Sequence, residues 1–332
     1  MKTLRKFLLF FFVLIGVITI LFILFRWVLD PVQMLAGQRV DTQTLQNIQK
    51  ELGLHLPIYQ QYLFYLNDLS PIGMIYEHHT GIMIIRNFGI KLPYLGISLY
   101  YKEPVWDIFL QHIGATIFLA TLSVVLAFVM AYYIGKFLYL KNNSYFNLFF
   151  NNLTKIFIAT PAFILSILLL WFFSIQWNLL PISGYFIQKN PLTLQNEWNF
   201  SYLILPLMAS SIRPFAIFLQ MNMKLLEDEN QKEYVKTAKA KGLKLAQIYD
   251  FHIFPNIFST LISVFFTWWA TLLSGAFFIE FIFDYPGIGK LLVDSILQND
   301  YPMVSGLCLL SALIFLSINT LNEILVLRYR VQ

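Results

Sequence analysis

Charge is scarce in this chain. Of its 332 residues only 12% are Asp, Glu, Lys or Arg, against about 25% in an ordinary soluble domain. With 58% of the residues hydrophobic and 33 of them phenylalanine, a water-soluble fold is excluded. Cysteine is nearly absent. Cys308 stands alone inside an apolar run, so there is no disulfide framework and no cysteine metal cluster, and it reads as a small packing residue. The phosphate-cradling pattern G-x-x-x-x-G-K-[ST] is missing, so the chain cannot hydrolyse ATP by itself. No serine–histidine pair, H-E-x-x-H or intramembrane aspartate pair supports a membrane protease. No catalytic, cofactor-binding or metal site is expected in this chain. Internal repeats are also missing, which leaves an inverted-repeat secondary transporter without support. The net charge of +5 lies in short loops between apolar runs, a distribution that serves membrane orientation rather than nucleic acid.

The apolar runs themselves set the architecture. A bilayer core about 30 Å thick needs roughly 20 apolar residues in a helix. Six stretches qualify: 7–29, 113–138, 153–175, 202–223, 257–281 and 303–327. The first follows Lys2, Arg5 and Lys6, as a secretory signal would, but its apolar core is too long and no small-x-small cleavage site follows directly, so it reads as a retained anchor. Placing the N-terminus in the cytoplasm puts fourteen Lys and Arg residues on the inner side and eight on the outer. Most of the eight fall in one long loop that the orientation rule discounts. Both termini are therefore expected to be cytoplasmic. The outer segment is too long for a plain connection. Helical leucine spacing appears at 42–52 and 59–69, and Pro57, Pro71, Pro93 and Pro104 cut it into pieces. The expected organisation is an anchor helix at 1–29, an extracytoplasmic loop domain at 30–107 and a five-helix core at 108–332, with a charged loop at 224–256.

That loop is the most informative stretch. Six lysines fall between Lys224 and Lys244, so it must lie in water. Glu233 sits where a helix would begin, favoured there by the helix dipole. Lys232, Lys236 and Lys239 share one solvated stripe, while Val235, Ala238 and Gly242 are small enough for a neighbouring backbone to approach. Gly242 suits a left-handed helix end. Leu245, Ile248, Tyr249 and His252 make an apolar face on a second short helix, and Pro255 fits the first turn of the next span. From periodicity alone, two readings stand: a docking elbow, or a surface helix resting on lipid headgroups.

The same residues resemble the cytoplasmic loop of ABC importer permeases, whose signature runs E-A-A, then glycine, then I-x-L-P. Glu233 supplies the acid, Ala238 and Ala240 the small residues and Gly242 the glycine, with His252, Phe254 and Pro255 in the last positions. Tyr234, Val235, Thr237, Lys241, Leu243 and Asn256 further match the peptide/nickel branch. EFIFDYPGIGKLL from Glu280 to Leu292 and Asp300-Tyr301-Pro302 with Gly306 resemble that branch too. So do LGLHLPIYQQYLFYL from Leu52 to Leu66 and Leu95-Gly96 with Ser98 and Pro104-Val105. Two departures stand out: about twenty extra residues at 70–91, and an ending in Arg328-Tyr329-Arg330 instead of D-P-R.

Other residues are weighed on their own chemistry. Glu77, His78 and His79 tempt as metal ligands, but neighbouring histidines on one loop rarely close a site. His55 and His112 have no partner pattern and read as structural. Arg213, within the fourth span, either lines a translocation path or snorkels to the interface. Glu323 allows the same two readings. Asn319 and Asn322 suit helix–helix hydrogen bonds.

The expected protein is an all-α, six-span membrane permease with a sizeable extracytoplasmic loop domain after the first helix and cytoplasmic coupling helices between the fourth and fifth. The resemblance implies that it is a non-catalytic half of the pore of an importer for peptides, nickel or a related small solute. It further implies a second homologous permease, two cytoplasmic ATPase subunits that bind ATP and Mg, and an extracytoplasmic solute-binding protein, with membrane lipid around the assembly. ATPase coupling falls, on that basis, to Glu233, Tyr234, Thr237, Ala238, Ala240, Lys241, Gly242, His252 and Pro255. An ion-coupled secondary transporter and a membrane-anchored scaffold are the rival classes.

Overall fold

The computed structural model describes residues 2–27, 56–79, 82–182, 184, 187–189 and 196–329. The predicted helix at 42–52 and His55 lie outside them. The chain is mostly helical. Among the described residues five helices are long and apolar enough to cross a membrane, or six if one bent pair counts as a single span.

Helix α1 (Lys2–Trp27) opens the chain, and its apolar window is almost wholly unburied. α2 (Ile58–Leu69) begins after Pro57, whose fixed φ suits a helix start. Two strands follow, β1 (Ile72–His79) and β2 (Ile82–Ile90), paired antiparallel with Ile72 opposite Ile90 and Met74 opposite Phe88. α3 (Val105–Lys141), α4 (Ser144–Ala159) and α5 (Ala162–Leu170) come next, the last continuing as a π-helical turn through Gln176. A short pair, β3 (Ile187–Lys189) and β4 (Asn196–Trp198), precedes α6 (Ser201–Asn230). Then come α7 (Glu233–Ala240), α8 (Leu245–Ile248), α9 (Phe254–Leu273), α10 (Phe277–Ile282), α11 (Ile288–Leu297) and α12 (Tyr301–Tyr329).

Three features differ from expectation. The run at 153–175 is not one straight span: the helices either side of Thr160 and Pro161 meet at 104°. Proline has no N–H to give and forces the preceding residue out of the helical region, and Thr160 is accordingly extended at ψ 125. The fifth span begins with α8 and ends at Leu273, not near residue 281, because Gly275 takes a φ of +131 with the Phe277 ring folded against it. Outside the helices, the chain departs from an all-α fold at the two strand pairs. The larger lies within the extra residues of 70–91, where isoleucines and methionine alternate in a pattern that fits a pleated strand better than a helix.

The chain divides into two compact units. The first, 1–7, 111–294 and 313–332, is built on α3, α6 and α9. Small residues on α3 (Ala120, Val124, Ala127, Ala131) let Phe215, Phe218 and Leu219 of α6 pack closely, and Phe265 of α9 meets the Phe218 ring at 6.4 Å. Ser123 and Ser210 join α3 to α6 by a buried 2.9 Å hydrogen bond. Asn322 of α12 donates to the Ser263 carbonyl of α9 at 3.0 Å, the helix–helix bond its sequence position suggests. The second unit, 8–110 and 295–312, holds the β1–β2 hairpin and is pinned by Asp300. This buried carboxylate accepts from the Ser98 hydroxyl and from the Leu99, Tyr100 and Met303 amides.

Candidate functional site, a lysine-rich elbow

The elbow starts where α6 stops. Lys232 is extended (ψ 149), and Glu233 opens α7 with its charge in the first turn. Eight residues are too few for a stable helix in water, so α7 persists by packing. Val235 and Ala238 are buried in a cluster with Leu226, Ile248, Tyr249, Ile253 and Ile257. The small face of α7 therefore docks on the chain's own bundle. Gly242 ends the helix at φ +74. Its N–H bonds the Lys239 carbonyl at 3.0 Å, and that of Leu243 bonds Ala238 at 3.3 Å, the pair of bonds that closes a left-handed helix end. Apart from Gly242 and its two chain neighbours, no described residue has an atom within 4 Å of where a Gly242 Cβ would stand. The backbone angle, not crowding within the chain, demands glycine here.

The second arm is not a separate helix. α8 runs through a π-helical turn, Tyr249–Ile253, directly into α9, with Pro255 in the first turn. The turn's wider winding rotates the packing face, so Ile248, Tyr249 and Ile253 are fully buried while Leu245 is exposed and His252 half-buried. The His252 Nδ1 has no hydrogen-bond partner among the described residues.

Polar contacts bolt this elbow to the bundle. Asp250 accepts from Lys136 at 2.6 Å and from the Tyr132 hydroxyl at 2.8 Å, both on α3. Tyr249 lies among the rings of Tyr132, Tyr139 and Phe254 and receives a 3.4 Å bond from Asn222 of α6. Glu229 accepts from Lys232 at 2.6 Å and from the Tyr234 hydroxyl. Burial, then that hydrogen bond to a carboxylate, pushes Tyr234 up to about 12, so it stays a neutral donor. Lys136, Asn222, Glu229 and Asp250 carry no motif of their own, and sequence reasoning did not single them out for this role, whereas Tyr249 is marked in the sequence only as part of an apolar face.

The opposite face is open. Glu233, Thr237, Ala240, Lys241, Gly242 and Pro255 are exposed, and the Lys236–Glu233 pair at 2.8 Å lies in solvent. Beside them is a cavity of about 730 Å³ between the ends of α3, α4, α6 and α7, lined among others by Asn147, Asn151, Gln220, Lys224 and Lys239. Of the nine predicted residues, then, six are exposed, Tyr234 and His252 are half-buried, with Tyr234 tied back to α6, and Ala238 is packed away.

The remaining candidates fall elsewhere. Arg213 is exposed on α6 with its guanidinium carbon 6.0 Å from the Trp268 ring centre on α9, a cation–π distance. Glu323 pairs with Lys6. His112 is half-buried on α3, as are Cys308 and Asn319 on α12. The side chains of Glu77, His78 and His79 lie outside the described residues, although their backbone forms the end of β1. The segment at Glu280 is closed: its buried carboxylate accepts from Thr116 at 2.8 Å and from the amides of Gly289 at 2.6 Å and Lys290 at 3.3 Å, at the start of α11.

Membrane-crossing helices interrupted by a basic elbow, with one face bolted to the bundle and the other exposed, define a membrane subunit that carries a water-exposed, lysine-rich surface. Comparison with known proteins agrees. Residues 123–331 match the family model described as "Binding-protein-dependent transport system inner membrane component", and residues 2–120 match its N-terminal companion. The chain belongs to this family, the inner-membrane permeases of ABC importers. Among its relatives, the dipeptide transport system permease DppB of Escherichia coli K12 is 28% identical over 316 residues, covering 89% of this chain and 87% of the relative. The di/tripeptide transport system permease DppB of Pseudomonas aeruginosa is 30% identical over 328 residues (93% and 91%). The glutathione transport system permease GsiC of E. coli O6:H1 is 26% identical over 311 residues (93% and 91%).

Proposed function

We propose that this chain is one half of the translocation pore of a peptide importer and that the elbow at 224–256 receives force from an ATPase. The observation that carries the reading is the elbow's division into a bundle-facing side and an open side. Glu233, Thr237, Ala240, Lys241 and Gly242 form the surface that a cytoplasmic ATPase subunit grips. Val235 and Ala238, pressed on Ile253 and Ile257, pass its motion into α9, and the Asp250–Lys136 contact passes it to α3. The relatives named for dipeptides, tripeptides and glutathione favour a peptide solute over nickel.

In this reading a second homologous permease completes the pore, and two ATPase subunits supply ATP and Mg binding. A binding protein delivers solute to an extracytoplasmic domain at 30–107, carried on the anchor at 1–29 and the core at 108–332. Both termini are cytoplasmic, which the Lys6–Glu323 pairing of the first and last helices supports. Arg213 lines the path between the two permeases. The coupling is allosteric: nucleotide at one site and solute at another bias two global states.

The test is Gly242→Val in the reconstituted complex. A β-branched residue is strained at φ +74, yet open space surrounds it. The variant is expected to insert and assemble but to lose solute-stimulated ATP hydrolysis. Unchanged hydrolysis and uptake would count against ATPase coupling at the elbow. Uptake without ATP would make the protein an ion-coupled transporter, and no flux with the complex intact would make it a scaffold.

A further inference from the structure

The outer segment that follows the anchor helix carries apolar surface that the chain itself leaves uncovered. α2 has no fully buried residue, and its apolar arc is wider than the contact it makes. One edge meets α1: Tyr62 bonds Thr19 at 2.6 Å, and the Phe22 ring lies 5.2 Å from Tyr62 and 5.6 Å from Tyr65. The next edge, Tyr59 and Leu63, is 64% and 60% exposed. The hairpin repeats the pattern. Ile72 and Met74 stand opposite Ile90 and Phe88, so the four share one face, and they are 57%, 42%, 86% and 74% exposed. A two-stranded hairpin alone is marginal in water, and one that exposes such a face needs a cover.

Depth identifies the cover. The membrane-crossing window of α1 runs Arg5–Phe25. At about 1.5 Å per residue, Phe22 lies roughly 5 Å and Thr19 roughly 9 Å inside its outer end. That is the depth, about 5–10 Å, at which interfacial amphipathic helices seat their apolar face. The hairpin is fastened to α2. The Asn67 side chain pairs with both backbone groups of Met74 at 2.7 and 2.9 Å, Lys91 donates to the Met74 carbonyl at 3.0 Å, and the Tyr94 amide bonds Asp68 at 2.8 Å. α2 and β1–β2 are thus one body, whose contacts with α1 fall at that depth of the apolar window.

We propose that α2 and the β1–β2 hairpin form an interfacial foot, with Tyr59, Leu63, Ile72, Met74, Phe88 and Ile90 seated in the outer leaflet. The extra residues at 70–91 are then a lipid-contacting element that steadies the outer end of α1 independently of any solute. This goes beyond the transport reading and rests on it only for which leaflet is the outer one.

The test places an environment-sensitive fluorophore on single cysteines, Leu63→Cys, Phe88→Cys and the control Glu103→Cys, in a Cys308→Ser background, with the whole complex in phosphatidylethanolamine/phosphatidylglycerol nanodiscs. Emission at 63 and 88 should shift to shorter wavelength and fall severalfold when a share of the lipids carries a nitroxide near the headgroup, while 103 responds only to soluble iodide. Quenching of 63 and 88 by iodide and not by lipid nitroxide overturns the proposal. So does protection that appears only when the binding protein is added, which would assign the face to a protein partner. Hydroxyl-radical footprinting of the unlabelled protein gives the second readout: Met74 and Phe88 should oxidise severalfold more slowly than Tyr100, and equal rates overturn it.

Discussion

Two of the glycine-marked turns that interrupt the helices of this chain are opposite in construction. At Gly242 the backbone is left-handed, empty space surrounds the missing side chain, and lysines point to solvent. At Gly287 and Gly289 the space is full: added Cβ atoms would lie 2.3 and 2.8 Å from a Glu280 carboxylate oxygen. Every donor near Glu280 serves its own chain, whereas the elbow's outer groups serve little inside it. The sequence signatures look equally strong at both places, yet one specifies an internal fit and the other leaves an open surface. A glycine's role follows from what fills the space around it.

The comparison breaks most sharply at Gly289. Its Cβ would meet backbone atoms of Phe277 at 2.9 and 3.0 Å, which cannot swing aside. Gly289→Ala should destabilise the protein by about 1–3 kcal/mol or more, as overpacking does. Glu280→Ala should cost at least as much, because it orphans the Gly289 and Lys290 amides at about 1–3 kcal/mol per buried group. Thermal unfolding of the purified protein in detergent measures both. Stability close to that of the parent protein in either variant would mean that the turn is not the closed structure described.

Next in size is the elbow's attachment. Asp250→Asn keeps an acceptor for Tyr132 but removes the charge facing Lys136, a pair whose two side chains are each about a quarter exposed. A loss of about 1 kcal/mol is expected, and a double-mutant cycle with Lys136→Met should recover a coupling energy of that order. Purely additive effects would show that the pair does not fasten the elbow to α3.

Much of this was legible in the sequence. Apolar runs announced the spans, and Glu233, Gly242 and Pro255 announced the helix start, the left-handed end and the re-entry into α9. The bend at Pro161 and the early end of the fifth span were not, because composition stays apolar through both and hydropathy is blind to chain direction. The Asp250–Lys136 contact joins residues 114 apart, and no local pattern encodes such a pairing. Val235 and Ala238 mark, by their size, a face for a neighbouring backbone. Small size was the right signal, but spacing could not say whether the neighbour belonged to this chain.

Tyr234 offers a smaller effect at the boundary between the two faces. Its folded pKa, about 12, is above the ordinary tyrosine value of 10.0. A raised pKa means the contribution is fully present below the unfolded value and lost as pH climbs through the folded one. The stability contributed by Tyr234 should therefore hold to about pH 10 and fade between pH 10 and 12. Stability of Tyr234→Phe should run parallel to that of the parent protein below pH 10 and converge on it above. A gap of constant size to pH 12 would remove ionisation of Tyr234 as the cause.

The smallest structural effect belongs to the residue with the largest proposed role. The Glu233 side chain is 86% exposed and its pair with Lys236 is solvent-screened, so Glu233→Ala should change stability by no more than about 0.5 kcal/mol. Solute-stimulated ATP hydrolysis in the assembled complex should nevertheless fall severalfold. That separation is what the Glu280 turn cannot show, since there stability and any function must fail together. If hydrolysis in Glu233→Ala matches the parent, the open face of the elbow is only a solvated surface. If stability falls in step with hydrolysis, Glu233 supports the helix itself, and the force must enter elsewhere on the elbow.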